Sequence, residues 1–305
     1  MRLHILHTTT YRYAPPVDTA QHMAYLLPRH TPSQVVTHGD LAIDPLPAAR
    51  RDAIDVYGNT RSFFALPSRH ERLHIQASST VQTLASQQDA DALATAPAWD
   101  KVRAHFIYHA GAAWDAATEF SFASPHVQPH PDFAQYARAS FTPQRPVLAA
   151  AVDLMQRMHT DFRYVSHSTD VHTPALQALA QRQGVCQDFA HILLSCLRTL
   201  GLAARYVSGY VLTEPPAGQP RLIGSDASHA WVSVYVPDVE DGALSTQGRW
   251  FDLDPTNNRW GLHSPGEDYV CLAWGRDFAD VSPVRGVIHG GASHTLEVGV
   301  TVTPV

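Results

Sequence analysis

Gly184-Val185-Cys186-Gln187-Asp188-Phe189-Ala190 opens a segment in which Phe189, Ile192, Leu193, Cys196, Leu197 and Leu200 recur at helical spacing before Gly201 stops it. This pattern predicts a core helix from about Cys186 to Leu200 with a wide apolar face. Cys186 then stands at the helix N-terminus, where the backbone dipole favours a negative sulfur and so the reactive thiolate. Two downstream stretches supply the other residue types of a nucleophile triad: Ser228-His229-Ala230-Trp231 and Trp250-Phe251-Asp252-Leu253-Asp254-Pro255-Thr256.

These two stretches read as strands, His229 to Val236 and Arg249 to Asp254, joined by a turn-rich connection running from Pro237-Asp238 through Asp241-Gly242 to Gln247. Antiparallel neighbours set the start of one strand beside the end of the next. His229 and Asp254 are thereby expected at one edge, as a base and its orienting carboxylate must be. Asp252 has the same strand parity, so register alone leaves both acids able to face His229. The expected chemistry is attack of the thiolate on an amide or ester carbonyl, with histidine moving the proton and a thioester as the intermediate. Water then gives hydrolysis and an amine gives transfer, on the same three residues.

The 305 residues and 45% hydrophobic composition fit a globular chain of two domains. A net charge of -6 and the lack of a basic stripe argue against nucleic acid as a partner. The three cysteines, Cys186, Cys196 and Cys271, form no C-x-x-C and are odd in number, so they are expected to be free thiols in a reducing compartment, with Cys196 and Cys271 as packing. No signal-like or membrane-spanning apolar run is visible, which gives the expectation of a soluble cytoplasmic protein without a membrane partner. Among 19 histidines, His126 with His130 and His167 with His172 raise the question of a metal. No H-E-x-x-H, paired cysteines or acidic ligand loop accompanies them, so no metal is expected.

Residues 1–85 read as an antiparallel β-domain, from the alternation at 3–13 and 72–81 and from the Gly58-Asn59 hairpin signal within Asp55 to Phe64. Residues 86–140 read as a connecting segment. Residues 141–305 read as an α+β domain: Leu148, Val152, Met155 and Met158 at helical spacing, Thr173-Pro174 as N-cap and first helical residue, the Cys186 helix, then strands that include 203–212 and the alternating run 294–302.

Gly184 to Phe189, Gly201-Leu202-Ala203-Ala204-Arg205-Tyr206-Val207-Ser208-Gly209-Tyr210, Asp226 to Trp231, Phe251 to Asn258 and Gly275 to Pro283 together resemble the bacterial transglutaminase-like family, and residues 1 to about 80 resemble the β-domain that precedes its catalytic core in many members. The resemblance implies a papain-like, transglutaminase-like core in which helices pack on an antiparallel sheet. It implies Cys186 as nucleophile, His229 as base and acid, and Asp254, the aspartate of Asp-Pro-Thr, as orienter in preference to Asp252. Many bacterial members carry only a provisional assignment as cysteine proteases. The implied substrate is therefore a peptide, isopeptide or Gln side-chain amide, with hydrolysis favoured. Protein-glutamine transglutaminase action on a primary-amine acceptor is the alternative, and a non-catalytic peptide-binding module is the rival from another class. No calcium and no cofactor are implied.

The amide of Cys186 is the natural first oxyanion donor, with Tyr164 or Gln187 as candidates for the second. Asp188 is expected in the first helical turn, and His191, five positions after Cys186, is expected to pack or lie on the surface. Edge strands of the β-domain leave pairing with a second subunit open.

Overall fold

The structure, a computed structural model, describes residues 1–85, 88–111, 113–166, 169, 173–213, 228–291 and 293–305. The alternation at Leu3 and Ile5 begins β1, Arg2–Ala24, whose first half is buried at every second residue. A strand with one packed face requires this period. Along its first half β1 pairs with β5 (His70–Thr83), itself flanked by β2 (Gln34–Asp44). Along its second half β1 pairs with β4 (Thr60–Leu66), which β3 (Ala49–Ile54) follows outward. Gly58 forms the β3–β4 turn with φ +79°, and Asp55 holds that turn by accepting from the amides of Tyr57 and Asn59 at 2.9 and 2.8 Å. This cap draws 55–59 out of the strand, so the hairpin's first arm lies at 49–54.

The other edge of β1 is filled from the far end of the chain, by β13 (Val284–Gly290) and β14 (Ser293–Pro304), both antiparallel to it. The alternating run 294–302, expected in the second domain, is thus a strand of the first sheet. Val300 and Val302 are buried there with Leu3, Ile5 and Val81, which explains the preference physically. Alternation identifies a strand but carries no information about its partner.

The segment 86–140 does more than connect. Its short helices α1 (Ala90–Thr95), α2 (Trp99–His105) and α3 (Pro131–Ala137), with a 3-10 turn at Ala116–Ser121, insert Val102, Phe120 and Phe133 into the main core. Helices this short are held by tertiary burial, since nucleation outweighs the few hydrogen bonds they make.

In α4 (Val147–Asp161) Leu148, Val152, Met155 and Met158 are all buried, following the spacing in the sequence. The two-residue strands β6 (Arg163–Tyr164) and β7 (Gln183–Gly184) pair in parallel on either side of α5 (Ala175–Gln181). Pro174 keeps an extended ψ of 138° and occupies the N-cap itself, so α5 begins one residue later than Thr173-Pro174 suggested. Helix α6 (Cys186–Thr199) packs on a five-stranded antiparallel sheet of order β11-β10-β9-β8-β12. Its strands are β8 (Ala204–Val211), β9 (Ser228–Glu240), β10 (Ala243–Asp254), β11 (Arg259–Leu262) and β12 (Tyr269–Gly275). A last turn of helix, α7 (Phe278–Val281), leads to β13.

The far face of the five-stranded sheet rests on the first sheet through Tyr210, Val270 and Leu272, which share a cluster with Leu3 and Ile5. The layers are therefore helices, sheet, sheet. Among the described residues no helix is long and apolar enough to cross a membrane.

Candidate active site

Helix α6 starts at Cys186 because Asp188, its third residue, reaches back to accept the amide of Val185 at 2.8 Å. The same carboxylate accepts the Thr169 hydroxyl at 2.6 Å. A carboxylate in the first turn satisfies a donor the helix cannot and opposes the positive end of its dipole. Gly184 is needed for this closure, since a Cβ there would lie 2.6 Å from Asp188 Oδ2. Cys186 is half-buried at the head of the helix, whereas Cys196 and Cys271 are buried. Burial pushes the Cys271 thiol up to about 12 and moves Cys196 in the same direction, so both are inert packing.

The register of β9 against β10 sets Leu253 opposite Val232 and so carries Asp254 to the head of β9. His229 Nε2 donates to Asp254 Oδ2 at 2.7 Å, and both side chains are buried. The other ring nitrogen, Nδ1, is left free by the Asp254 bond, and Cys186 lies close enough to act on the imidazole and raise its proton affinity. The structure thus brings Cys186, His229 and Asp254 together from three elements separated widely in sequence.

Asp254 is held by more than the imidazole. Its Oδ2 also accepts from the Tyr269 hydroxyl at 2.7 Å and from Asn257 Nδ2 at 2.8 Å, and its Oδ1 accepts the amides of Thr256 and Asn257 at 2.9 and 3.3 Å. Burial alone would raise its pKa, but the His229 charge and these hydrogen bonds hold it below the usual carboxylate value. Burial likewise opposes a charge on His229. The Asp254 carboxylate and hydrogen bonds to Asp254 and Cys186 outweigh it and raise the imidazole from 6.5 to about 10.

Asp252 takes a different place. It accepts Trp231 Nε1 at 2.8 Å and the Ser233 hydroxyl, and lies within the field of the Arg205 guanidinium. Trp231 in turn stacks on the His229 ring at 6.0 Å and 29°. Gly209 pairs with His229 across β8 and β9, and its missing Cβ is what lets the Trp231 ring lie over that position. The two acids of β10 are thereby separated: one meets the imidazole edge, the other fixes the indole beneath it.

Tyr164 lies on β6 opposite Gly184, half exposed, with its ring edge-on to Phe189 at 6.3 Å. Its phenol is raised by burial, then by the Cys186 and Asp188 charges, which places it within electrostatic reach of the sulfur. Gln187 is the second residue of α6 and lines a cavity beside the site. The amides of this first turn have no carbonyl partner within the helix and point outward. His191 is buried, stacked on His126 at 5.0 Å, and Nε2 accepts the Phe278 amide at 3.3 Å. Burial, reinforced by His126, keeps it neutral. His130 caps α3, and His167 and His172 lie outside the described residues.

Asn257 and Tyr269 are the site residues that sequence reasoning missed. Asn257 follows Asp-Pro-Thr by one position and offered a local signal. Tyr269 offered none, because only the pairing of β12 with β8 brings it across to Asp254.

A helix-headed cysteine facing a histidine and aspartate on an antiparallel sheet is the architecture of the transglutaminase-like core. Residues 3–82 match the bacterial transglutaminase-like N-terminal region, and residues 134–255 match the transglutaminase-like superfamily. The chain belongs to that superfamily. An uncharacterized protein of Mycobacterium tuberculosis is 38% identical over 99% of this chain and 93% of its own length. One from Mycobacterium leprae is 28% identical over 99% of this chain and 98% of its own. A protein-glutamine gamma-glutamyltransferase of Pseudomonas aeruginosa is 37% identical over 76 residues, 25% of this chain and 10% of that protein. The crystal structure of a candidate cysteine protease from Cytophaga hutchinsonii superposes with a TM-score of 0.71 at 22% identity, covering 100% of this chain and 91% of that one, which establishes the fold.

Proposed function

We propose that the protein is a thiol enzyme that opens an amide of a peptide, isopeptide or glutamine side chain through a Cys186 acyl-thioester, with hydrolysis as its reaction. The observation that carries this reading is the buried 2.7 Å bond between His229 and an Asp254 held by four further donors, aimed at a half-buried cysteine at a helix head. The Cys186 sulfur adds to the carbonyl carbon, and the amide of Cys186, with Tyr164 or Gln187, steadies the oxyanion. The His229 imidazolium gives its proton to the departing amine as the C–N bond breaks. The neutral ring then takes a proton from water, whose oxygen displaces the thiolate and leaves a carboxylic acid.

An amine in place of water gives protein-glutamine transglutaminase activity by the same steps, and the 76-residue match to the Pseudomonas enzyme keeps this as the second reading. The three unpaired cysteines favour a cytoplasmic location. The test supplies a glutamine-containing peptide with a labelled primary amine and measures ammonia release and label together. Ammonia without label is expected; label incorporation well above hydrolysis reverses the order. Alkylation of Cys186 by iodoacetamide no faster than that of a free model thiol overturns the catalytic reading as a whole.

A further inference from the structure

A cavity of about 420 Å³ opens beside the triad, lined by Gln187 and Ser228, the chain neighbours of Cys186 and His229. Its other walls do not come from the catalytic sheet. Tyr11 of β1, Leu296 and Val298 of β14, and Phe278 and Val284 after β12 close it, so both ends of the chain contribute. Leu296 and Val298 are 52% and 51% exposed, large apolar side chains turned to an open space instead of a core.

The floor is neutral. His7, also in the lining, is buried, bonded through Nδ1 to the Tyr210 hydroxyl at 2.8 Å and through Nε2 to Thr9 at 3.1 Å, and burial lowers it from 6.5 to about 4. Its two nitrogens are thus used within the protein and bring no charge to a ligand. Among the described residues no Lys, Arg, Asp or Glu lines the cavity. A space of this size falls in the range of about 300–1,000 Å³ typical of sites that enclose small organic groups.

Resting on the proposed amide chemistry, we infer that this cavity is the specificity pocket of the enzyme, and that it receives an apolar side chain, aromatic or branched aliphatic, carried by the substrate next to the reacting amide. The β-domain is then part of the substrate site: it supplies Tyr11 directly and holds β14 in place. A charged group at that substrate position meets apolar side chains, neutral polar groups such as Gln187 and Ser228, and a neutral histidine, with no opposite charge among the described lining residues to offset its desolvation cost.

The test compares alkylation of Cys186 in the full-length protein by iodoacetamide, N-(2-phenylethyl)iodoacetamide and N-(carboxymethyl)iodoacetamide, as second-order rates divided by those of a free thiol. The phenylethyl reagent is expected to exceed iodoacetamide on the order of tenfold, the gain from burying most of a phenyl group, and the carboxymethyl reagent to fall below it. In Leu296→Asp and Val298→Asp the phenylethyl advantage should collapse; the ratio within each variant cancels any general loss of nucleophile. Equal rates for the phenylethyl reagent and iodoacetamide in a protein whose Cys186 is otherwise fast overturn the pocket and leave the thiol chemistry standing. A second measurement needs no reactive thiol: titration of unreactive N-(2-phenylethyl)acetamide should shift the methyl resonances of Leu296, Val298 and Val284. A slow Cys186 with these shifts present sinks the amide chemistry and keeps the apolar site, and absence of the shifts overturns the site.

Discussion

Asp254→Asn isolates the charge at the base of the triad while keeping the shape. In the native site three donors, His229 Nε2, Tyr269 Oη and Asn257 Nδ2, converge on Asp254 Oδ2 within 2.7 to 2.8 Å. An asparagine can keep the Thr256 and Asn257 amides on its oxygen, but must then point its NH₂ at three other donors. Relief comes if the imidazole turns over its tautomer and presents a bare Nε2. Nδ1 then carries the proton toward Cys186 and can no longer accept one. The rise of His229 from 6.5 to about 10, at about 1.4 kcal/mol per tenfold change in proton affinity, amounts to about 5 kcal/mol favouring the imidazolium.

With the carboxylate gone, burial, which lowers His229, is opposed only by the weaker influence of Cys186, so the imidazole falls well below its raised value. Turnover is expected to fall on the order of 10³- to 10⁴-fold, and the His229 titration followed by NMR should move down from well above neutrality. Stability carries the matching sign. A raised histidine stabilises the fold fully below 6.5 and loses that contribution as pH climbs toward about 10, while a lowered Asp254 contributes above 3.8 and loses it as pH falls. The advantage of wild type over the variant in chemical denaturation should therefore be greatest between pH 3.8 and 6.5 and shrink above it. Alkylation and turnover within tenfold of wild type, or an unmoved His229 titration, would refute the reasoning.

Three further substitutions probe other parts of the site. Tyr164→Phe should lower kcat about 10²-fold with little change in KM if the hydroxyl serves the oxyanion, and a change under about twofold would reduce Tyr164 to packing on Phe189. Tyr269→Phe removes one donor from Asp254 and should cost about 1.5–3 kcal/mol of stability, as expected of a hydrogen bond to a buried charge, with an upward shift of the acid limb of the rate profile as Asp254 becomes easier to protonate. Gly209→Ala drives a methyl group against the Val270 carbonyl and to 2.5 Å from the Trp231 ring. Thermal unfolding should show a loss of about 1–3 kcal/mol from overpacking, together with weaker alkylation of Cys186 as the indole under His229 is displaced.

The sequence exposed the local and periodic parts of this molecule. The head of α6 was legible because Gly184, Cys186 and the apolar spacing after it act within one helix. The meeting of His229 with Asp254 was legible because a single turn-rich connection joins β9 and β10, so their register follows from their ends. Asp252 and Asp254 were separable only by the family pattern, since their difference lies in partners at distance: Trp231 and Ser233 for one, Tyr269 and Asn257 for the other. The helices of 86–140 were illegible because Val102, Phe120 and Phe133 are fixed by the core they enter, with little intrinsic propensity in such short segments. The place of 294–302 was hidden for a related reason: its partner lies at the opposite end of the chain.

That pairing has a consequence for how the protein is made. Leu3 faces Pro304 and the amide of Val305 donates to the Arg2 carbonyl at 3.0 Å, so β1 is completed by a strand synthesised long after it. At about 5–20 residues per second, β1 waits roughly fifteen seconds to a minute with one ladder edge open. Such an edge is a template for any strand that reaches it first. Nascent chains are expected to need that edge shielded during synthesis, and the closing of β14 against β1, which also raises the wall of the pocket beside Cys186, is set to be a late step of folding.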